Sequence, residues 1–352
     1  MQTPFDSHMN SFFKKHKRLI IVSGGTLGDH VLFLDLAYRF YVSANIKSII
    51  FINHNFTFLN EISVGYNEFV TCVDINSVAG KFKFIVAFFR SLLFTSYLVY
   101  FLPMPLKKYL VQVSNFLHYC TRTVIISNVY EQMQSFVPAG IHVQADITTK
   151  YYFEQANDIL KALGFSAVQE APNMLFVKDK GVLDKYGISK KYIVLHPTPS
   201  NAVRRIERQR WLEVLSPYIA DPTYLIVSTG TYKDYEYTSE LLSGVCKEKV
   251  VHLEGLPNGQ ELINIFYFSE KYFGVHTGTT HIVAALHKTM FVFFALWYKQ
   301  FDVGFNQNSQ IEVISTVDNV LDLTRLNLIA APDFIAKYCD LSFLDNYNKV
   351  VS

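Results

Sequence analysis

The sequence predicts a chain of two α/β domains, each built around a parallel sheet with helices on both faces. Three observations lead to this prediction. Short apolar segments alternate with helical segments over most of the chain. The length of 352 residues exceeds that of one typical domain and suits two. A turn rich in small residues follows an apolar strand in each half, at Gly24–Asp29 and at His276–Thr280.

In the first half, apolar runs predict five strands, at Leu19–Ser23, Ser48–Ile52, Phe69–Val73, Tyr97–Leu102 and Thr123–Ile126. The intervening patterns predict helices at Asp29–Ser43, Gly80–Phe94, Leu106–Tyr119 and Lys150–Leu163, with a short turn near Phe56–Ile62. Residues 127–149 are polar and are expected to be irregular. The apolar segment 82–102 raises the question of a membrane span, but Arg90 near its middle favours a helix followed by a buried strand.

The second half repeats this pattern. It predicts strands at Tyr192–His196, Tyr224–Ser228, Val250–Leu253, Lys271–Gly274, Met290–Phe294 and near Glu312–Ser315. It predicts helices at Gln209–Ala220, Tyr232–Cys246, Gly259–Phe268, Thr279–His287 and Pro332–Tyr338. We therefore divide the chain into an N-terminal domain (1–165), a linker (166–190), a C-terminal domain (191–330) and a helical tail (331–352).

Composition narrows the class of protein. Half of the residues are hydrophobic, which is enough for two cores, and the formal net charge of +2 gives no indication of a nucleic-acid partner. The four cysteines are far apart and form no paired motif, so we expect neither disulfides nor a metal framework, and we expect a reducing, cytoplasmic compartment. The N-terminal residues lack the charged-then-apolar order of a signal peptide.

The turn after the strand Lys271–Gly274 carries the strongest functional signal. It reads H-T-G-T-T-H and leads into a helix with an apolar face. The first N–H groups of a helix are unsatisfied, and its dipole places positive potential there. Gly278 allows the backbone to approach a ligand closely, and the neighbouring threonines add hydroxyl donors. The segment therefore predicts a phosphate or diphosphate site, with plain helix capping as the alternative.

The motifs of the chain resemble those of glycosyltransferase family 9, the lipopolysaccharide heptosyltransferases. Three segments carry the resemblance: T-L-G-D at Thr26–Asp29, I-V-L-H-P-T-P-S at Ile193–Ser200, and G-V-H-T-G-T-T-H-I-V-A-A-L at Gly274–Leu286. The helix at Tyr151–Gly164 is similar to the element that precedes the family's linker. The resemblance implies the GT-B fold, two facing Rossmann-like domains with parallel sheets. The N-terminal domain would bind the acceptor and the C-terminal domain the nucleotide-sugar donor.

Several positions depart from the family's pattern. His276 stands where the family usually has aspartate, and Asp35 where a proline is common. Thr198 and Pro199 alter the family's H-P-G turn. An imidazole at position 276 could contact a sugar hydroxyl or the acceptor, or could carry charge towards phosphate, and the sequence does not choose between these roles.

The resemblance implies an inverting, metal-independent glycosyltransferase. It would move a sugar, with heptose as the suggested sugar, from a nucleotide-diphosphate donor such as ADP-heptose to a lipopolysaccharide or related lipid-linked glycan. Asp29 would be the general base that removes a proton from the acceptor hydroxyl. The alternative for Asp29 is an N-cap immediately before the helix. Gly25, Thr26 and Gly28 would form the acceptor-side loop around it.

The resemblance also implies the donor-binding residues. These are the turn residues His276, Thr277, Gly278, Thr279, Thr280 and His281, with a buried, hydrogen-bonded histidine as the alternative for His281. A cation would neutralise the leaving diphosphate, and among Arg204, Arg205, Arg208 and Arg210 we favour Arg205 and Arg208. Further hydroxyl donors to the nucleotide sugar are Thr198 and Ser200, and Thr229 belongs to a loop that often contacts the donor nucleotide in GT-B enzymes.

Cofactors, location and competing functions complete the sequence predictions. No D-x-D motif follows a strand, so we expect no metal and no other cofactor. The basic run Lys14–Arg18 and the 30 Phe and 22 Tyr residues favour attachment to the surface of the inner membrane. Two other functions stay open at this point. One is a nucleotide-sugar 2-epimerase of the same fold, and the other is a non-catalytic protein that binds a glycan or a partner enzyme.

Overall fold

The computed structural model describes residues 18–23, 27–52, 56–93, 97–100, 124–129, 141–144, 151–199, 206–294 and 309–313. The chain divides into two compact units, unit 1 (Met1–Val177) and unit 2 (Lys178–Ser352). The division falls inside the segment 166–190, which the sequence predicts as a linker.

Unit 1 contains a six-stranded sheet in which all neighbouring strands are parallel. Its strands are β1 (Arg18–Ser23), β2 (Lys47–Ile52), β3 (Val70–Asp74), β4 (Tyr97–Tyr100), β5 (Val124–Val129) and β6 (Ile141–Gln144). Their order across the sheet is β3-β2-β1-β4-β5-β6. The five strands predicted for this half are confirmed. Each is rich in β-branched and aromatic residues, which favour the strand conformation.

The sixth strand, β6, and the end of β5 show that the expectation of an irregular stretch was wrong for residues 127–129 and 141–144, and the rest of the stretch 127–149 lies outside the described residues. β5 continues through Val129, and β6 pairs with it in parallel, with Ile126 opposite Ile141. The four residues of β6 are too few for a recognisable hydrophobic period. A pairing across the sheet, rather than the local sequence, therefore defines this strand.

The helices of unit 1 are α1 (Leu27–Ala44), α2 (Phe56–Ile62), α3 (Val78–Leu93) and α4 (Tyr152–Ala162). α1 places Phe33, Leu36 and Phe40 in the core. α4 ends as the sequence predicts, since Gly164 has a left-handed φ of 77° and its N–H donates to the carbonyl of Lys161 at 2.9 Å. The predicted helix Leu106–Tyr119 lies outside the described residues.

The apolar segment 82–102 folds as the sequence predicts, into the helix α3 followed by the strand β4. β4 lies in the middle of the sheet, between β1 and β5. Within the described part of the chain, no helix has both the length and the apolar character needed to cross a bilayer.

A buried ion pair ties α1 to the chain that leaves unit 1. Arg39 donates through Nε to Asp35 at 2.7 Å, and through its two Nη atoms to the carbonyls of Val168 (2.6 Å) and Glu170 (2.8 Å). Asn157 on α4 bonds both the N–H and the carbonyl of Val168, at 3.0 and 2.8 Å. Asp35 therefore has a structural role, which is to hold the guanidinium of Arg39 in place.

Unit 2 also contains a six-stranded sheet with only parallel neighbours. Its strands are β7 (Lys191–His196), β8 (Tyr224–Ser228), β9 (Val250–His252), β10 (Lys271–Val275), β11 (Met290–Phe294) and β12 (Ser309–Val313). Its helices are α5 (Gly181–Lys185), α6 (Arg208–Ala220), α7 (Tyr235–Leu241), α8 (Gly259–Phe268) and α9 (Gly278–Ala285). Trp211 on α6 lies at the centre of the core and meets Phe293 edge to face, with ring centroids 4.8 Å apart.

Two predictions for unit 2 need correction. The predicted helix Tyr232–Cys246 is a 3-10 turn at Tyr232–Asp234 followed by the shorter helix α7. The segment predicted as a linker contains the helix α5. The predicted helix Pro332–Tyr338 lies outside the described residues.

The strand order in unit 2 is β12-β11-β10-β7-β8-β9, which repeats the order of unit 1. In each sheet the order reverses between the first and fourth strands, at β1 and β4 in unit 1 and at β7 and β10 in unit 2. In open parallel sheets ligands bind outside the carboxyl ends of the strands at such a switch point. The fold therefore directs attention to the residues that follow β1, β7 and β10.

Candidate active site

The turn after β10 leads directly into α9, and its shape is fixed by Thr280. The Thr280 hydroxyl accepts from the N–H of Thr277 at 3.0 Å and donates to the carbonyl of Val275 at 3.0 Å. Thr280 is fully buried, so its hydroxyl is used inside the protein. Thr280 therefore positions the turn through which the other residues would meet a ligand.

A chain of hydroxyl groups joins this turn to the sheet. Thr277 Oγ1 lies 2.9 Å from Thr279 Oγ1, which lies 2.9 Å from the hydroxyl of buried Tyr272. Gly274 leaves room for Tyr272, because a Cβ at position 274 would come within 2.4 Å of the tyrosine oxygen. Burial raises the pKa of Tyr272 to about 12, so its hydroxyl keeps its proton at neutral pH. Thr277 is half-buried and is the accessible end of this series of hydroxyl groups.

The first turn of α9 has the groups that bind an anion. The N–H groups of Gly278 and Thr279 have no acceptor within the helix, as in the first turn of any α-helix, and the helix dipole adds positive potential. The half-buried hydroxyl of Thr277 stands beside them. This arrangement can hold a phosphate without a side-chain cation.

His276 and His281 form a hydrogen-bonded pair at the same turn. Their Nε2 atoms are 3.3 Å apart, so one imidazole donates and the other accepts. His281 is buried, and burial lowers its pKa to about 4, which makes it neutral at pH 7. A half-buried imidazole supported by a neutral one thus occupies position 276, where the sequence resemblance implies a carboxylate.

Two histidines of unit 2 should make its stability depend on pH. Burial lowers the pKa of both His196 and His281 from 6.5 to about 4, with Asp234 partly opposing the shift at His196. Between these values the unfolded chain binds protons that the folded chain does not, so the free energy of unfolding should fall as the pH is lowered from 6.5 to 4. Urea denaturation at a series of pH values measures this slope.

The variant His281→Gln separates this effect from the titration of carboxylates. Its amide does not titrate, so its stability should fall less steeply than that of the wild type over the same range. His287→Asn, at an exposed position with a left-handed φ of 53° that asparagine tolerates, is the matched control. Equal slopes for wild type and His281→Gln would contradict the assignment.

The carboxyl ends of β7 and β8 are joined to each other. The side chains of His196 and Thr229 meet at 3.0 Å (Nδ1 to Oγ1), and the Thr229 N–H donates to the carbonyl of Leu195 at 2.9 Å. Thr198 is buried just beyond β7, and its hydroxyl has no hydrogen-bond partner within the described part of the chain. Since β7 pairs with β10, Thr198 lies at the same sheet edge as the turn before α9. It offers a buried hydroxyl to a ligand at that edge.

Arg208, one of the two arginines favoured from the sequence, opens α6. Its guanidinium donates to the backbone carbonyls of Leu241, at 3.0 Å, and of Ser243. These contacts give Arg208 a structural role, because they bind the backbone at the C-terminal end of α7. Of the other candidates of this kind and of the acceptor-side loop, Arg210 and Gly28 are described, and five lie outside the described residues: Gly25, Thr26, Ser200, Arg204 and Arg205.

A polar cluster at the ends of β8 and β9 was not predicted from the sequence. The Nδ1 atom of His252 lies 2.9 Å from Ser228 Oγ and 3.4 Å from Glu254 Oε2. The Glu254 side chain is fully buried, and apart from this ion-pair contact with His252 its Oε2 has no hydrogen-bond partner among the residues that the structure describes. The signal available in the sequence is H-x-E beginning at the last residue of a strand, since residues two apart in extended chain point to the same side.

Asp29 lies in the first turn of α1, next to the switch point of unit 1. The helix begins at Leu27, so the alternative in which Asp29 caps the helix from outside is not what the structure shows. Asp29 is half-buried and follows the buried Gly28. A carboxylate in the first turn is stabilised in its ionised form by the helix dipole.

Acidic, histidine and cysteine side chains do not gather into a metal-binding group anywhere in the described residues.

Two Rossmann-type sheets of the same strand order in one chain are typical of the GT-B class of fold. Solved structures with this fold are similar to the chain over most of its length. A glycosyl transferase of family 9 from Veillonella parvula is 12% identical with a TM-score of 0.63, and 91% of each chain is covered. The ADP-heptose lipopolysaccharide heptosyltransferase II of E. coli is 13% identical with a TM-score of 0.60, covering 88% of this chain and 97% of that one.

An E. coli heptosyltransferase solved with ADP-2-deoxy-2-fluoro heptose is 15% identical, with a TM-score of 0.59, and the similarity covers 88% of this chain and 99% of that one. At these identities the similarity establishes the fold. No protein-family model matches the chain, and no curated protein matches it either. The resemblance to glycosyltransferase family 9 seen in the three sequence segments is therefore confirmed at the level of the fold.

Proposed function

We propose that this protein is an inverting, metal-independent glycosyltransferase. It transfers a sugar, with heptose as our first choice, from a nucleotide-diphosphate donor to a lipopolysaccharide or related lipid-linked glycan. The observation that carries the proposal is the turn before α9, where two N–H groups and the Thr277 hydroxyl converge at the switch point of a Rossmann sheet. A similar fold occurs in heptosyltransferases, one of which was solved with ADP.

The proposed chemistry is a single displacement at the anomeric carbon. Asp29 takes the proton of the acceptor hydroxyl as that oxygen forms a bond to the anomeric carbon. The bond between this carbon and the diphosphate oxygen breaks, and its electron pair leaves with the nucleoside diphosphate. The N–H groups of Gly278 and Thr279 stabilise the charge that builds up on the leaving group, assisted by Arg205.

The other predicted residues complete the donor site in this proposal. Thr198 donates a hydroxyl hydrogen to the nucleotide, to which it is suited because its buried hydroxyl has no partner in the described part of the chain, and the loop at Thr229 contacts the nucleotide. His276 contacts the transferred sugar or the phosphate, and His281 holds its imidazole in place. We propose that the protein works on the cytoplasmic side of the inner membrane, where a lipid-linked acceptor would be found.

A thermal-shift screen with ADP, UDP, GDP and CMP, each with and without EDTA, tests the donor site. A ligand present at 100 times its Kd stabilises the folded state by about 2.7 kcal/mol. For a unit of this size, that corresponds to a rise in Tm of roughly 5 to 10 °C. We expect such a rise with one diphosphate, ADP first, and no change on adding EDTA.

Variants locate the binding site within unit 2. Thr277→Val removes the accessible hydroxyl of the turn and should reduce the ADP-dependent rise in Tm. Thr289→Val, at an exposed position beyond the other end of α9, should leave it unchanged. A rise that persists in full in Thr277→Val would place the nucleotide elsewhere, and the absence of a rise with every nucleotide would favour the non-catalytic alternative.

A further inference from the structure

α3 turns an apolar stripe towards solvent. Val78, Phe82 and Ile85 are 85%, 67% and 49% exposed. Their spacing of four and three residues places them on one side of the helix. Three large apolar side chains in a row are a contiguous patch, which differs from the single exposed apolar residues common on protein surfaces.

The opposite side of α3 is the one that packs against the sheet. Phe84 meets Phe51 of β2 edge to face, with ring centroids 5.2 Å apart. Gly80 is buried against the end of β3, where a Cβ would overlap the carbonyl oxygen of Asp74. Gly80 and Phe84 are four residues apart and share this inner side. The exposed stripe is therefore a second apolar face, which the core of unit 1 does not use.

The charges of α3 identify what the stripe would bind. Lys81 and Lys83 are exposed, and as the neighbours of Phe82 they lie about 100° from it on either side of the helix axis. The stripe is thus bordered by a cation on each side, and the sequence of α3 contains no aspartate or glutamate. Apolar side chains that enter the acyl boundary, with lysines reaching the headgroups, are the features of a helix that lies in a lipid interface.

We propose that the outer face of α3 docks unit 1 onto an anionic lipid bilayer. Val78, Phe82 and Ile85 would enter the boundary between headgroups and acyl chains, and Lys81 and Lys83 would pair with anionic headgroups. The inference deepens the proposed function, which places the acceptor in a lipid surface, but it needs no donor and no transfer reaction for its test. Its failure and the failure of the proposed activity are therefore distinguishable.

Flotation of the full chain with vesicles tests the proposal. We expect binding to vesicles of phosphatidylethanolamine and phosphatidylglycerol, weaker binding as the salt concentration rises, and only background binding to phosphatidylcholine. The double variant Phe82→Glu/Ile85→Glu should bind at the background level. The variant Lys81→Gln/Lys83→Gln should bind roughly thirtyfold more weakly, as expected for the loss of two lysines near an anionic surface.

Matched controls come from unit 1 itself. Val42→Glu changes a residue on α1 that is 53% exposed, and Lys47→Gln/Lys161→Gln removes two exposed lysines outside α3; both should bind like the wild type. Far-UV circular dichroism checks that each variant is folded. Binding that Phe82→Glu/Ile85→Glu leaves intact, or no binding by the wild type, would overturn the proposal. A wild-type dimer that this variant converts to a monomer would also overturn it, because the stripe would then be an interface between two copies.

Discussion

Replacing Asp29 with asparagine is expected to lower the rate of sugar transfer by roughly 10²- to 10⁴-fold, the range that general base catalysis contributes. Asparagine has nearly the same shape as aspartate, but its amide cannot accept the proton of an acceptor hydroxyl. The loss should appear in kcat, with little change in KM for the donor, because the donor site proposed here is built from unit 2. Release of the nucleoside diphosphate from ADP-heptose in the presence of an acceptor glycan measures the rate.

Stability has to be measured in the same variant, because Asp29 lies in the first turn of a helix that is central to unit 1. An acidic residue in the first turn contributes about 0.3 to 1 kcal/mol through the helix dipole. Asp29→Asn should therefore unfold at nearly the same urea concentration as the wild type. Asp158→Asn removes a carboxylate from α4 of the same unit and should leave the transfer rate unchanged. Near-normal turnover by Asp29→Asn would remove Asp29 from the proposed mechanism.

The sequence was sufficient to predict the elements that bury a continuous apolar run. β8 (Tyr224–Ser228), β11 (Met290–Phe294) and α8 (Gly259–Phe268) have the predicted bounds. In these segments local propensity, length and burial all favour the same structure. The turn before α9 was predicted for the same reason, since glycine and threonine between a strand and a helix restrict the backbone to few conformations.

Contacts between segments that are far apart in the sequence could not be predicted from local sequence patterns. Nothing near Ile141 in the sequence indicates that it pairs with Ile126, and the buried Oε2 of Glu254 becomes apparent only when β8 and β9 are side by side. A charged residue such as Arg39 is usually exposed on a helix, yet Arg39 is buried and binds Asp35 and the carbonyls of Val168 and Glu170. α3 was predicted as a helix, but a sequence that is apolar on both sides did not show which side would face solvent.

Replacing Arg39 with methionine is expected to destabilise unit 1 by about 3 to 5 kcal/mol, the cost of breaking a buried ion pair by removing one partner. Methionine retains the apolar stem, but it leaves the buried carboxylate of Asp35 without a counter-charge and the carbonyl of Glu170 without its donor. By contrast, Arg210→Met breaks the exposed pair with Glu213 and should cost less than about 1 kcal/mol.

The two tryptophans make it possible to follow the units separately. Trp211 and Trp297 both belong to unit 2, so tryptophan fluorescence reports unfolding of unit 2, whereas far-UV circular dichroism reports both units. In Arg39→Met the circular dichroism signal should gain an early transition in urea that fluorescence does not show. A single transition at the wild-type midpoint in both signals would show that the Arg39 contacts contribute little to stability.

The double variant Asp35→Leu/Arg39→Met separates the ion pair from the carbonyl contacts. It removes both charges, so no uncompensated carboxylate is buried, and its stability should be higher than that of Arg39→Met alone. The loss that remains would measure what Arg39 contributes by binding the carbonyls of Val168 and Glu170. If the double variant recovers the wild-type midpoint, the pair contributes little net stability, and its effect is to fix where the chain leaves unit 1. If it stays as unstable as Arg39→Met, the hydrogen bonds to the departing chain, rather than the charge of Asp35, are what hold this part of unit 1 together.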